Sequence, residues 1–168
     1  MKIEIPQGKR ILVFTGPESS GKTTCAELLA KKHDLPLIKE YAREYLEMHG
    51  PEYTFEDLVI IANEQLRRQS QAFYNYDFIL CDTDLLTIKI WANEKYGKDI
   101  GISISFQDQK HYMLCVPDIT WAPDPLRENP VDRDRLFSVY ENELKNMGAT
   151  YTVLDQDARS QLQLSRRK

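Results

Sequence analysis

Cysteine is scarce in this chain, and the cysteines that occur are badly placed for cross-linking. Cys25, Cys81 and Cys115 are odd in number, far apart and without C-x-x-C spacing, which excludes a disulfide framework and reads as reduced core thiols in a cytosolic protein. His33, His49 and His111 stand alone, with no ligand partner at metal spacing, so a protein-bound zinc is not expected. No stretch approaches the roughly 18 apolar residues of a membrane span, and the opening "MKIEIPQGKR" lacks the apolar core of a secretory signal. Excess positive charge is missing too. A net charge of -4 gives no general attraction to nucleic acid or an anionic lipid surface, so neither is an expected partner. Any anion bound here must be held by a specific site. There is no repeat, low-complexity segment or linker, and 168 residues at 42% hydrophobic content suit one core and a single domain over residues 1–168.

What is present alternates between two periodicities. "RILVF" (10–14) is a short apolar run ending at Gly16 and reads as a buried strand. A helix is expected from Gly21 to His33, with Cys25, Leu28 and Leu29 on its apolar face, Lys31 and Lys32 in the last turn, and Asp34 and Pro36 as the stop. "LPLIKE" (35–40) is a second, short strand, and "YAREYLEMHG" (41–50) a helix closed by Gly50 and Pro51. Thr54 with Asp57 resembles a capping box opening a long helix that carries Leu58, Ile61, Gln65, Leu66 and Phe73 and breaks at Asn75. "DFILCD" is the third strand, "LLTIKIWANEKYG" a helix, "YMLCV" the fourth strand, and "TYTVL" the fifth after a helix from Asp132 to Met147. Pro117 to Pro130 holds four prolines and no periodicity, which predicts a long functional loop, extended to about 117–135 as a lid. Strands separated by helices imply an α/β fold with a mostly parallel sheet covered on both faces, whose ligands sit at the carboxyl ends of the strands.

The stretches richest in chemistry follow strands directly. "GPESSGKTT" matches G-x-x-x-x-G-K-[ST] at Gly16, Gly21, Lys22 and Thr23. Backbone N–H groups and a helix amino end form a phosphate cradle there, the lysine reaches the β- and γ-phosphates, and the threonine hydroxyl binds Mg²⁺. In "CDTD", Asp82 is the first carboxylate after an apolar strand, the position of a Mg²⁺-linked aspartate. Asp84, two residues on, either accepts a hydrogen bond from a substrate hydroxyl or caps the next helix. In "KEYARE", Glu40 lies on the rim of the same crevice as a base for an attacking hydroxyl, and Arg43 is placed to pair with a phosphate or carboxylate; the same letters also spell an ordinary charged helix. Arg127 and Arg133, in or beside the proline-rich loop, suit a lid that neutralises transition-state charge, or are solvated loop residues. Trp91, on an apolar helix, reads as core.

"GPESSGKTT", "EYAREY", "ILCDTDLLTIKIWANEKYG" and "DITWAPDPLR" followed by "VDR", in this order, resemble the ribosylnicotinamide kinase domain of the bacterial NAD-synthesis protein NadR. The resemblance runs from about Lys9 over nearly the whole chain. It implies a P-loop NTPase three-layer αβα sandwich with a five-stranded parallel sheet in the order 2-3-1-4-5, and transfer of the ATP γ-phosphate to the 5'-hydroxyl of nicotinamide riboside in NAD salvage. On this resemblance Gly16, Pro17, Glu18, Ser19, Ser20, Gly21, Lys22, Thr23 and Thr24 hold ATP, and Thr23 with Asp82 hold Mg²⁺. Glu40, Tyr41, Arg43 and Asp84 surround the nucleoside, Arg127 and Arg133 belong to the lid, and Arg159 in "DQDAR" borders the adenine. One position departs from the pattern. Lys39 stands where the family often has an aromatic residue that stacks on the pyridinium ring, which leaves Tyr41 or Trp121 to supply that face. The resemblance does not extend to adenylyltransferase or helix-turn-helix portions, so neither NAD formation nor repressor activity is expected of this chain. A kinase of another nucleoside or small metabolite, and a nucleotide-dependent switch, fit the same phosphate-handling residues.

Overall fold

The computed structural model describes residues 2–5, 8 and 10–166; the remaining ends of the expected single domain lie outside the described residues. Five strands build the central sheet: β2 (Arg10–Thr15), β3 (Leu37–Ile38), β4 (Phe78–Asp82), β5 (Lys110–Cys115) and β6 (Tyr151–Leu154). All pairings are parallel, in the order β3-β4-β2-β5-β6. In strand order of appearance this is the expected 2-3-1-4-5. The register sets Phe14 beside Asp82 and Thr15 beside Leu114, so the carboxyl ends of the three middle strands finish together. Strands β2, β4 and β5 are buried along nearly their whole length, as a sheet covered on both faces requires.

Helices α1 (Lys22–His33), α2 (Tyr41–His49), α3 (Phe55–Asn75), α4 (Leu85–Tyr96) and α5 (Arg133–Asn146) supply the cover, with a short α6 (Gln156–Ser160) after the last sheet strand. The capping box is present: the Asp57 N–H donates to the Thr54 hydroxyl, and the Asp57 carboxylate accepts from the Thr54 N–H. One apolar cluster joins Ile11, Val13, Ile79, Cys81, Tyr112 and Leu114 to α5, and another joins Leu12, Phe14 and Leu80 to α1. Burying each large side chain of this kind contributes roughly 1.5–3 kcal/mol.

Several boundaries differ from the sequence reading. The second strand is only Leu37–Ile38, because Pro36 cannot donate to the ladder and Glu40 already serves as the N-cap of α2. Leu28, expected on the buried face of α1, is 65% exposed. Gln65 is buried for a polar reason: it accepts from the Tyr41 N–H at 2.8 Å and donates to the Lys39 carbonyl at 3.4 Å, pinning α2 onto α3. A second sheet was not foreseen, in which β1 (Lys2–Ile5) pairs in parallel with β7 (Gln163–Arg166). Among the described residues, no helix is long and apolar enough to cross a membrane.

Candidate functional site

The loop between β2 and α1 wraps where the middle strands end. Gly16 has φ +127°, and a Cβ there would lie 2.7 Å from the Cys115 carbonyl oxygen of β5, so only glycine lets the loop pass this close to the sheet. Gly21 caps α1 in the left-handed region, and Ser19 holds φ +52° without being glycine, a strained geometry of the kind found at ligand clamps. The Ser20 hydroxyl donates to the Pro17 carbonyl at 2.8 Å. Lys22 folds back over the loop, donating to the Gly16 and Pro17 carbonyls.

Asp82 ends β4 and is almost wholly buried. Burial pushes its carboxyl up, opposed by a hydrogen bond from Thr23 and the charge of Lys22. Its Oδ1 has no hydrogen-bond partner among the described residues. A buried orphan acceptor, beside a threonine hydroxyl and a phosphate cradle, is the donor set Mg²⁺ uses when most of its other ligands are phosphate and water. Among the described residues no cluster of three His, Cys, Asp or Glu is arranged to hold a metal. Mg²⁺ therefore fits Thr23 and Asp82.

Asp84 turns out differently from its proposed substrate role. Its Oδ1 accepts from the Leu86 N–H at 3.0 Å, capping α4, and its Oδ2 accepts from Lys110 Nζ at 2.7 Å and the Tyr112 hydroxyl at 3.0 Å. All three side chains are sealed from solvent. The helix-capping alternative is the one realised, strengthened by a buried ion pair, and both carboxylate oxygens are taken up by these bonds. What the network fixes is the turn between the two aspartates, where Thr83 holds φ +64°, unusual for a β-branched residue.

Glu40 opens into the cleft above the loop, lining it with Lys22, Thr23, Arg43, Thr87 and Tyr140. It is half-buried, and burial first, then the charge of Asp82, raise its carboxyl from 4.5 to about 7. A carboxylate poised at that value suits proton abstraction near neutrality. Arg43 reaches across the cleft to Asp124 in the lid segment at 3.1 Å.

The lid is latched to the phosphate loop. The Glu18 carboxylate accepts from the Glu128 and Asn129 N–H groups, each at 3.0 Å, the Ser19 hydroxyl accepts from the Ala122 N–H at 3.0 Å, and Arg133 donates to the Ser19 and Ile119 carbonyls at 2.9 and 3.1 Å. Arg127 lines the cleft and donates to the Ala122 carbonyl. The two residues expected to offer a stacking face each have a guanidinium over the ring. The ring of Tyr41 is covered by the Arg68 guanidinium at 4.4 Å, and Trp121 lies against Arg127 and Arg133, 5.9 and 5.7 Å from its ring centre. Lys39 points outward to Glu27 at 3.4 Å.

Trp91, expected in the core, packs partly buried against the apolar cluster around Leu58, Ile61, Leu85 and Ile88, and also lines two adjoining cavities. The cleft over the phosphate loop has about 220 Å³, and its neighbour, about 300 Å³, shares Glu18, Leu46, Trp91, Leu126 and Tyr140 and adds Tyr53 and Glu94. Tyr53 stacks on Trp91 with ring centres 6.3 Å apart. Thr87 and Trp91 are four residues apart on α4 and so share a face, a spacing legible in the sequence once the helix is known to border ligand. On the other side of α1, a cavity of about 820 Å³ is bounded by Thr24, Leu28, Ile119, Gln156 and Arg159. Exposed Leu28 is one of its apolar walls. Arg159 is itself anchored, donating to the Val116 and Leu154 carbonyls at 3.0 and 2.8 Å and pairing with Asp118. The cysteine thiols are inert, burial raising Cys25 to about 11 and Cys115 to about 12.

A model of the AAA domain matches residues 11–161. No curated protein matches the chain by sequence. Among solved structures, a NadR protein in complex with NAD and AMP-PNP matches with a TM-score of 0.64 at 19% identity, over 89% of this chain and 45% of its own. Thymidylate kinase from Ehrlichia chaffeensis matches at 0.61 and 14% identity, over 91% and 95%, and deoxyadenosine kinase from M. mycoides at 0.57 and 16%, over 88% and 91%. The chain spans about half the length of the NadR chains it matches. At such identities the likeness is one of fold. With the matched segment running from the first sheet strand through the last helix, the chain belongs to the AAA domain family and has the P-loop NTPase fold.

Proposed function

We propose that this protein is an ATP-dependent kinase that phosphorylates a hydroxyl of a nucleoside-like acceptor, with nicotinamide riboside the leading candidate. The observation that carries the reading is Glu40, a carboxylate raised to about 7 that lines one cleft with Lys22 and Thr23. The phosphate loop would hold the ATP phosphates, and the cavity beside Thr24, Leu28 and Arg159 would take the base. The Thr23 hydroxyl and Asp82 would hold Mg²⁺, which would supply positive charge to offset that of the phosphates.

Glu40 accepts the proton of the attacking hydroxyl, and Lys22 leaves its loop carbonyls for the phosphates. Arg127 and Arg133, carried by the lid, face charge that spreads over the transferred group. Little else is required of the protein, since phosphoryl transfer is governed by positioning and charge neutralisation. The nicotinamide assignment draws support from the second cavity, where Trp91 offers an aromatic wall of the kind a cationic ring favours. The outward turn of Lys39 toward Glu27 removes the repulsion its position suggested. A NadR protein has also been solved in complex with NR.

The test is mass spectrometry of purified protein with ATP, Mg²⁺ and a panel of nucleosides including nicotinamide riboside. A product one phosphate heavier, formed fastest from nicotinamide riboside, supports the full reading. Faster product from another nucleoside keeps the kinase and changes its acceptor, and ATP binding without any phosphorylated product removes the proposal.

A further inference from the structure

A polar residue at a helix N-cap ordinarily turns its side chain back on the helix, accepting from the unpaired N–H groups of the first turn. Glu40 is the N-cap of α2, yet its carboxylate makes no capping hydrogen bond and lines the cleft with Lys22 and Thr23 instead. The donor it leaves behind is met from another helix. The Tyr41 N–H donates to Gln65 Oε1 of α3 at 2.8 Å, and Gln65 Nε2 donates to the Lys39 carbonyl at 3.4 Å. The peptide groups on the two sides of Glu40 are thus bonded to one side chain. Gln65 is 1% exposed, on a face of α3 that otherwise buries Leu58, Ile61, Ala62 and Phe73 beside a second glutamine, Gln69, so an apolar residue there would avoid the cost of desolvating an amide. A carboxamide carries a donor and an acceptor on one uncharged group and meets both peptides without placing a charge beside Glu40. Arg68 also holds the first turn of α2, through the Tyr41 ring at 4.4 Å and Glu44 at 2.7 Å, but Glu44 is exposed and such pairs contribute little.

We infer that Gln65 is a positioning residue for phosphoryl transfer: by supplying the cap of α2 from α3 and bracketing the backbone of Glu40, it leaves that carboxylate free and aims it into the cleft. Without the glutamine, the Glu40 carboxylate is the acceptor that a helix start ordinarily uses, and turning back to cap α2 withdraws it from the attacking hydroxyl. Reacting geometry tolerates little of this, since a misplacement of about 1 Å costs on the order of 10²-fold in rate. The inference rests on the kinase reading, with Glu40 as its base, and adds the residue that holds that base in place.

The test measures kcat and KM with ATP, Mg²⁺ and nicotinamide riboside, or whichever nucleoside of the panel above reacts faster. The proteins are wild type, Gln65→Met, similar in length but unable to make either bond, and Gln65→Asn, neutral and one methylene too short to reach both peptides, each alone and with Glu40→Gln. Gln65→Met should lower kcat about 10- to 100-fold and Gln65→Asn about 3-fold or more, with KM for ATP within about twofold of wild type. In the Glu40→Gln background neither should lower kcat by more than about a further twofold, because no base is left to misplace. Gln69→Met, one turn along α3 and equally buried, controls for disturbance of the helix core and should keep the wild-type kcat. Amide hydrogen exchange reads the contact without turnover: the Tyr41 N–H should exchange slowly in wild type and rapidly in Gln65→Met. Losses that multiply with that of Glu40→Gln, or that Gln69→Met reproduces, would mean a merely structural role and overturn the inference. So would wild-type kcat in both Gln65 variants, or a freely exchanging Tyr41 N–H in wild type. In each of these cases the kinase reading stands on the turnover of wild type, whereas a wild type that transfers phosphate to no nucleoside removes both.

Discussion

Replacing Glu40 with glutamine should weaken catalysis and strengthen the fold at the same time. The folded protein holds the Glu40 proton more tightly than the unfolded chain, because burial and the Asp82 charge raise the group from 4.5 to about 7. Its contribution to stability is therefore fully present below pH 4.5 and lost as the pH rises through 7. At 1.36 kcal/mol per pH unit the loss is at most about 3 kcal/mol, and water reaching one side of the half-buried carboxyl reduces it toward about 1.5 kcal/mol. Glu40→Gln keeps the shape and removes the titration. Urea unfolding at pH 5 and pH 8.5 should show wild type losing about 1–3 kcal/mol more than the variant over that interval. Phosphoryl transfer by the variant should fall about 10²- to 10⁴-fold, as for loss of a general base, and the wild-type rate should rise with pH through about 7. Parallel stability changes in the two proteins, or a variant with wild-type turnover, would refute the assignment of Glu40 as a poised base.

Lys22→Ala should abolish transfer while leaving the melting temperature within a few degrees, since that side chain bonds only loop carbonyls; calorimetry beside the activity assay checks it. Gly16→Ala should lower stability by about 3 kcal/mol or more, because its Cβ would meet the Cys115 carbonyl oxygen at 2.7 Å and φ is +127°, and denaturant titration measures the loss. Lys110→Met strands the sealed Asp84 carboxylate and should cost about 3–5 kcal/mol in urea unfolding. Asp82→Asn should raise the Mg²⁺ concentration needed for half-maximal turnover by tenfold or more, read from a metal titration, with the fold unchanged in circular dichroism.

The parts of the fold that were legible in the sequence are those set by local chemistry. Thr54 and Asp57 announced a helix start because their side chains bond the adjacent backbone, and the order of the five sheet strands followed from the resemblance carried by "GPESSGKTT", "EYAREY", "ILCDTDLLTIKIWANEKYG" and "DITWAPDPLR" with "VDR" after it. Pairings between distant segments were not legible. Nothing local in "KIEI" says that it joins the chain's other end, and Lys110 reads as a surface lysine until Asp84, 26 residues away, is seen bonded to it. That same partner turned Asp84 from a candidate substrate ligand into a support for the turn. Thr87 and Trp91 fall inside the quoted stretch "ILCDTDLLTIKIWANEKYG" without an assigned ligand role, Tyr140 lies outside every quoted stretch, and their place in the cleft depends on how α4 and α5 pack, which no short pattern encodes. Glu18 belonged to the phosphate-loop motif, yet its bonds to the lid depend on a segment over 100 residues away.

The central claim is that the γ-phosphate passes to a hydroxyl held beside Glu40 rather than to water, and following ³²P from labelled ATP in the presence of Mg²⁺ and nicotinamide riboside tests it most directly. The account predicts that most of the label appears in a phosphorylated nucleoside and that Glu40→Gln suppresses this. Label recovered only as inorganic phosphate, at a rate indifferent to added nucleoside, would contradict it.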